Sequence, residues 1–95
     1  MTSKQRAYLR SLASNLSAVV QIGKNGPTPE IISSIDEAIE ARELIKINVQ
    51  ENCLEPIKDV AETVSQRSRS ELVQVIGRKI VLYKRNNKKP VIELP

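Results

Sequence analysis

Between positions 23 and 26 the chain reads Gly-Lys-Asn-Gly, and no other stretch has more pointed chemistry. Two glycines three apart let a backbone turn tightly and come close to a ligand with no side chain in the way. Lys24 adds a mobile positive charge between them. A helix is expected to start a few residues later, and its free N–H groups attract anions. Such a loop suits a sugar-phosphate backbone, which GXXG loops of KH domains clamp in this manner. The same spacing also occurs in ordinary tight connections, so the motif alone leaves both readings open.

Other chemistries find little footing. The chain has no histidine, which removes the commonest general acid–base group and the commonest transition-metal ligand. Cys53 is the lone cysteine, so it has no internal disulfide partner and no histidine base to make it a nucleophile. One Cys without His leaves no zinc site. Neither a P-loop nor a dinucleotide fingerprint is present. The expectation is a protein with no catalytic residues, no metal and no cofactor. No apolar run approaches the roughly 20 residues that span a membrane, and no signal-peptide core is visible. With the single thiol, this fits a cytoplasmic protein without membrane association.

Charge is segregated along the chain. Residues 1–28 hold Lys4, Arg6, Arg10 and Lys24 and no acid. Residues 29–66 hold three basic against nine acidic residues, a balance of −6. Residues 67–89 hold eight basic residues against Glu71 alone, a balance of +7. The net charge of +4 thus hides one positive and one negative surface. A polyanion partner is expected for the positive one.

The elements that must position these residues follow from hydrophobic period. Ser3 is a suitable N-cap for a first helix with Tyr8, Leu9, Leu12, Ala13 and Leu16 on one stripe, ending over Leu16 to Ala18. Residues 18–22 read as a short strand leading into the glycine loop. Thr28-Pro29 starts a second helix, 29–42, with Ile31, Ile32, Ile35, Ala38 and Ile39 buried and Asp36, Glu37, Glu40 and Glu43 mostly off the stripe. In the strand 44–49, Ile45, Ile47 and Val49 alternate with Lys46 and Asn48, so one face is wet. Pro56 opens a third helix with stripe Ile57, Val60, Ala61 and Val64, fraying over 66–70. The end is a hairpin, 72–76 and 80–83, turning over Gly77-Arg78-Lys79, with both strands expected in the sheet centre. A basic loop, 84–89, and an extended tail, 90–95, complete a single domain, 1–95. The order α-β-α-β-α-β-β predicts a two-layer α/β sandwich with a mixed four-stranded sheet, its first strands parallel and its last antiparallel.

At this level the chain resembles the CRM domain (chloroplast RNA splicing and ribosome maturation), in particular the stand-alone bacterial YhbY-like proteins. The resemblance rests on Lys4-Gln5-Arg6 with Leu9-Arg10, on Ile22-Gly23-Lys24-Asn25-Gly26 with Thr28, and on Glu43-Leu44-Ile45-Lys46-Ile47. It continues through Leu72-Val73-Gln74-Val75-Ile76-Gly77-Arg78, Val81-Leu82-Tyr83-Lys84-Arg85 and Ile92-Glu93-Leu94-Pro95. It implies a fold like the C-terminal domain of translation initiation factor three. It also implies non-catalytic RNA binding, with large-subunit ribosomal RNA in pre-ribosomal particles as the partner and ribosomal proteins nearby. Pro27 departs from the family pattern, in which an aliphatic residue follows the second glycine; it restricts Gly26 and stiffens the loop exit.

The expected RNA contacts are Gly23, Lys24, Asn25 and Gly26, extended by Lys4, Arg6 and Arg10. Arg78, Lys79, Lys84 and Arg85 join them if the hairpin end shares that side. Tyr8 and Tyr83 are the only aromatics, and both fall on apolar stretches, so base stacking is not expected. The surface should read backbone and shape in structured RNA. A small monomer is the default. The alternative is a protein-interaction adaptor that docks a basic ribosomal protein on the acidic face of residues 30–62.

Overall fold

The computed structural model describes residues 1–95. Its first helix, α1 (Ser3–Ala13), is capped by Thr2 rather than Ser3. The Thr2 hydroxyl accepts from the Gln5 amide at 3.1 Å, and the Gln5 side chain accepts from the Thr2 amide at 3.1 Å. This reciprocal capping box satisfies two free donors at once, which a cap at Ser3 would not. The helix stops at Ala13, a turn earlier than the apolar stripe implied. Leu16 therefore lies beyond it and is exposed, and so is Tyr8.

Strand β1 (Ala18–Ile22) leads through the glycine loop to α2 (Pro29–Arg42). Thr28 caps α2 through its hydroxyl, and proline occupies the first turn, as the Thr-Pro pair predicts. Strand β2 (Leu44–Val49) and α3 (Ile57–Ser68) follow. Helix α3 does not fray over 66–70. It holds to Ser68, which is buried, and closes on Arg69 in the left-handed conformation. Strands β3 (Glu71–Ile76) and β4 (Lys79–Tyr83) form the final hairpin. Their turn has two residues, Gly77 and Arg78, and Lys79 already belongs to β4; the positive φ of Gly77, 56°, makes so tight a reversal possible.

The sheet order is β1-β2-β4-β3. β1 and β2 are parallel, and β4 runs antiparallel to both β2 and β3. Only β4 of the hairpin lies inside the sheet. β3 forms an edge, with Val75 and Ile76 exposed, because β4 inserts beside β2 and leaves β3 no further neighbour.

The two sheet faces have separate cores. Helices α2 and α3 bury Ile35, Ile39, Val60, Ala61 and Val64 against Ile22, Ile45, Ile47, Val49, Ile80 and Leu82. This is the expected sandwich of a mixed four-stranded sheet under a helical layer. On the opposite face, Leu9 and Ala13 of α1 pack on Leu44, Val73, Val81 and Tyr83, joined by Ile92 and Leu94 of the tail. That face is therefore dry at one end and carries half-buried Lys46 and Asn48 farther along.

Glu43 departs most from its sequence reading. It is fully buried rather than solvated, and its φ is 64°. Its carboxylate accepts from the amides of Asn86 at 2.6 Å, Val91 at 2.7 Å and Ile92 at 2.6 Å. Its own carbonyl accepts from the Lys84 amide at 2.9 Å. A single carboxylate thus holds the basic loop and the tail on the sheet.

Candidate functional site

The glycine loop sits where β1, β2 and the β3–β4 turn end together. Ile22 pairs with Val49, the Gln50 amide donates to the Ile22 carbonyl at 2.8 Å, and the Val49 amide donates to the Arg78 carbonyl at 2.8 Å. Within the loop the Gly26 amide donates to the Gly23 carbonyl at 3.0 Å, which closes a four-residue turn. Lys24 and Asn25 occupy its two central positions, and both side chains are exposed. The Thr28 amide reaches back to the Gly26 carbonyl at 2.9 Å, so the chain turns sharply around Pro27 before the helix begins.

Gly26 is required on two counts. Its φ is 68°, and a Cβ there would collide with the Glu55 carboxylate. Its amide is spent on closing the turn, so the exposed donors of the loop are those of Lys24 and Asn25. Glu55 brings negative charge against the helix side of the loop. Positive charge is therefore exposed at the Lys24–Asn25 tip, and negative charge lies over Gly26.

Next to this loop a polar row crosses three strands. Lys79 Nζ donates to Asn48 Oδ1 at 2.6 Å, and Asn48 Nδ2 donates to Gln21 Oε1 at 2.7 Å. Lys79 keeps two ammonium protons for a ligand. Arg78 is committed differently: Nε donates to the Val49 carbonyl at 2.7 Å and Nη2 to the Gln50 carbonyl at 2.5 Å. Arg78 clamps the end of β2 to the turn with two of its five N–H donors, so its position is set by the backbone it holds.

The sequence-predicted residues fall into three places. Gly23, Lys24, Asn25, Gly26, Arg78 and Lys79 share the loop end of the sheet. Lys4, Arg6 and Arg10 lie on α1, which covers the other end of the opposite face. There Lys4 and Arg10 are exposed, whereas the Arg6 guanidinium donates to the Leu72 carbonyl and lies 3.9 Å from Glu71. Lys84 and Arg85 follow Tyr83, which pairs with Leu44 and Glu71 at the end away from the loop. The hairpin's two basic clusters are thus on opposite ends, because a five-residue strand separates them.

The model of the CRS1 / YhbY (CRM) domain matches residues 1–84. The chain belongs to this family. The CRM chain is 50% identical over 95 residues to YqeI of Bacillus subtilis, named a probable RNA-binding protein, covering 100% of this chain and 99% of that one. It is 33% identical over 95 residues to a Haemophilus influenzae protein named RNA-binding protein, covering 100% and 95% of the two chains. The solution structure of a hypothetical Staphylococcus aureus protein, described as an RNA-binding candidate, superposes with a TM-score of 0.84 at 49% identity, covering 100% of this CRM domain and 99% of that chain.

Two groups in the CRM fold have shifted protonation. Burial alone would raise the Glu43 carboxyl, but the amides of Asn86, Ile92 and Val91, with Arg85 nearby, outweigh it and hold the group below its ordinary value. Burial, and then the Glu43 charge, push the Tyr83 phenol up. Neither is at the loop end. No group of three His, Cys, Asp or Glu residues gathers to hold a metal ion, and no helix is long and apolar enough to cross a membrane.

Sequence reasoning missed the polar row and the committed role of Arg78. The alternation of Lys46 and Asn48 signals a wet strand face, but only the register brings Gln21, Asn48 and Lys79 into line. Arg67 and Arg69, read as a fraying helix end, are ordered beside Lys84.

Proposed function

We propose that this protein is a non-catalytic, cytoplasmic RNA-binding protein that contacts structured ribosomal RNA, in assembly of the large ribosomal subunit. The Lys24–Asn25 tip meets the phosphate backbone, Lys79 adds a second cation on the same end, and Lys4 and Arg10 extend the contact over α1. The observation that carries this reading is the exposed tip of a closed glycine turn on the same end as the Lys79 ammonium, which spends one proton on Asn48, in a chain whose relatives are named for RNA binding. With Tyr83 buried and Tyr8 the only exposed ring, stacking contributes little, and backbone contacts dominate.

Crosslinking and sequencing of RNA bound in cells tests it, with the native chain beside a folded Lys24→Asp, Asn25→Asp variant. The expected result is large-subunit ribosomal RNA for the native chain and its loss in the variant. Equal capture by both removes the loop from the interface. A second reading has its own support. Asp36, Glu37 and Glu40 on α2 and Asp59 and Glu62 on α3 are exposed, an acidic surface that suits a basic ribosomal protein. Retention of a basic protein after nuclease treatment, with no RNA captured, would favour that adaptor role.

A further inference from the structure

At the end of the sheet opposite the glycine loop, a cleft of about 690 Å3 opens between the C-terminal ends of α2 and α3 and the loop after β4. Its walls carry Arg67, Arg69, Lys84, Arg85 and Lys88. Lys89 follows at the lip, its amide bonded to the Asn86 side chain at 3.1 Å. Asp36 and Glu40 also line the cleft, and buried Glu43 lies behind it. The ends of two helices bring about half a negative charge each, which still leaves the cleft positive by about two charges.

The arrangement gathers like charges that solvation alone would leave apart. The single ion pair within 4.0 Å in the molecule is Arg6–Glu71, so none of the cleft cations is in direct contact with a carboxylate. Lys84 Nζ is held by the Ser68 carbonyl at 3.2 Å, and Glu43 fixes the backbone of the loop that bears Arg85 and Lys88, so these cations are placed around a concavity. Arg69 occupies a left-handed position, φ 55°, where glycine is the unstrained choice, at a cost of about 1 kcal/mol.

We infer that this cleft is a second phosphate-backbone site, and that the protein bridges two RNA segments, one on the glycine loop and one in the cleft. This rests on the RNA-binding reading above. β2 runs from one site to the other, and its six residues separate them by about 17 Å. Two guanidinium forks on the α3 end face lysines on the loop, a donor set matched to phosphate oxygens and carrying no ring to stack a base.

The test is the stoichiometry of a short RNA hairpin, too small to reach both ends, measured by native mass spectrometry and titration calorimetry. The native chain is expected to take two hairpins. An Arg67→Ala, Arg85→Ala, Lys88→Ala variant takes one, as does Lys24→Asp, Asn25→Asp. On a long structured RNA, the triple variant lowers the magnitude of the log–log salt slope by about 2. If the triple variant does not fold, Lys88→Glu, an exposed position, replaces it and is expected to weaken cleft binding at least threefold. A native chain that takes one hairpin, with the cleft variant unchanged in stoichiometry and slope, overturns the second site and leaves the loop reading intact. So does a cleft that takes a poly-glutamate peptide in preference to RNA. Loss of RNA in the cleft variant but not in the loop variant keeps the cleft and removes the loop. A native chain that binds no RNA overturns both.

Discussion

Glu43 is the residue on which most backbone depends. Three amides from a segment more than 40 positions away converge on its carboxylate. Because its carboxyl is held below the ordinary value of 4.5, it stabilises the fold at higher pH, and that contribution is lost as pH falls through the folded value. Urea unfolding of the native chain should therefore weaken progressively below about pH 5, and a Glu43→Gln variant should lack this component. Glu43→Ala should cost about 2–3 kcal/mol at neutral pH and release the tail, seen as faster amide exchange at Val91 and Ile92. Tyr83 gives the opposite sign. Its hydroxyl is buried without a partner, so Tyr83→Phe should leave stability unchanged or raise it by about 1 kcal/mol in the same assay.

Among the elements, α1 and the glycine loop carry the sharpest expectations. α1 is fastened to its own face of the sheet by Leu9 and Ala13, away from α2 and α3. Leu9→Ala should cost about 3 kcal/mol in chemical unfolding, since the cavity lies between a helix and a sheet that cannot collapse freely. In the loop, Gly26→Ala must distort a left-handed position and displace Glu55. A loss of about 1–2 kcal/mol in thermal unfolding is expected, together with weaker RNA binding, because the turn that presents Lys24 and Asn25 opens. Glu55→Gln, by contrast, should tighten RNA binding two- to fivefold at low salt and have little effect at high salt, since it removes a repelling charge beside the tip.

At the scale of the molecule, charge is divided by pole and face. The two ends of the sheet carry separate basic groups, and the exposed side of the α2–α3 layer is acidic. RNA affinity should fall with salt at a log–log slope of about −0.7 to −0.9 for each phosphate neutralised. Measured from low to physiological salt, a slope steeper than the four cations Lys24, Lys79, Lys4 and Arg10 can supply would itself point to the distal cleft.

Local rules were enough for much of this protein. The Thr28-Pro29 start of α2, the strand limits at 18–22 and 44–49 and the closing hairpin are each set by neighbours in the chain, through capping, proline geometry and alternation, and the helical crossover between the first two strands makes them parallel. The glycine loop was legible for the same reason: two glycines and a lysine carry their conformational and chemical properties with them. Tertiary structure decided what each charged side chain faces. Glu43 reads as one more helix-end acid, yet the amides that bury it come from residues 86–92. Arg78 and Lys79 read as equivalent neighbours, yet the backbone of β2 takes up one and leaves the other. Tyr8 keeps helical spacing with Leu12, but α1 packs on the sheet through Leu9, Leu12 and Ala13 and leaves the ring exposed. Whether the hairpin strands lie at the centre or the edge of the sheet depended on β4 inserting between β2 and β3. Strand insertion is a long-range pairing, and hydrophobic period along a single segment carries no information about which segment will lie beside it.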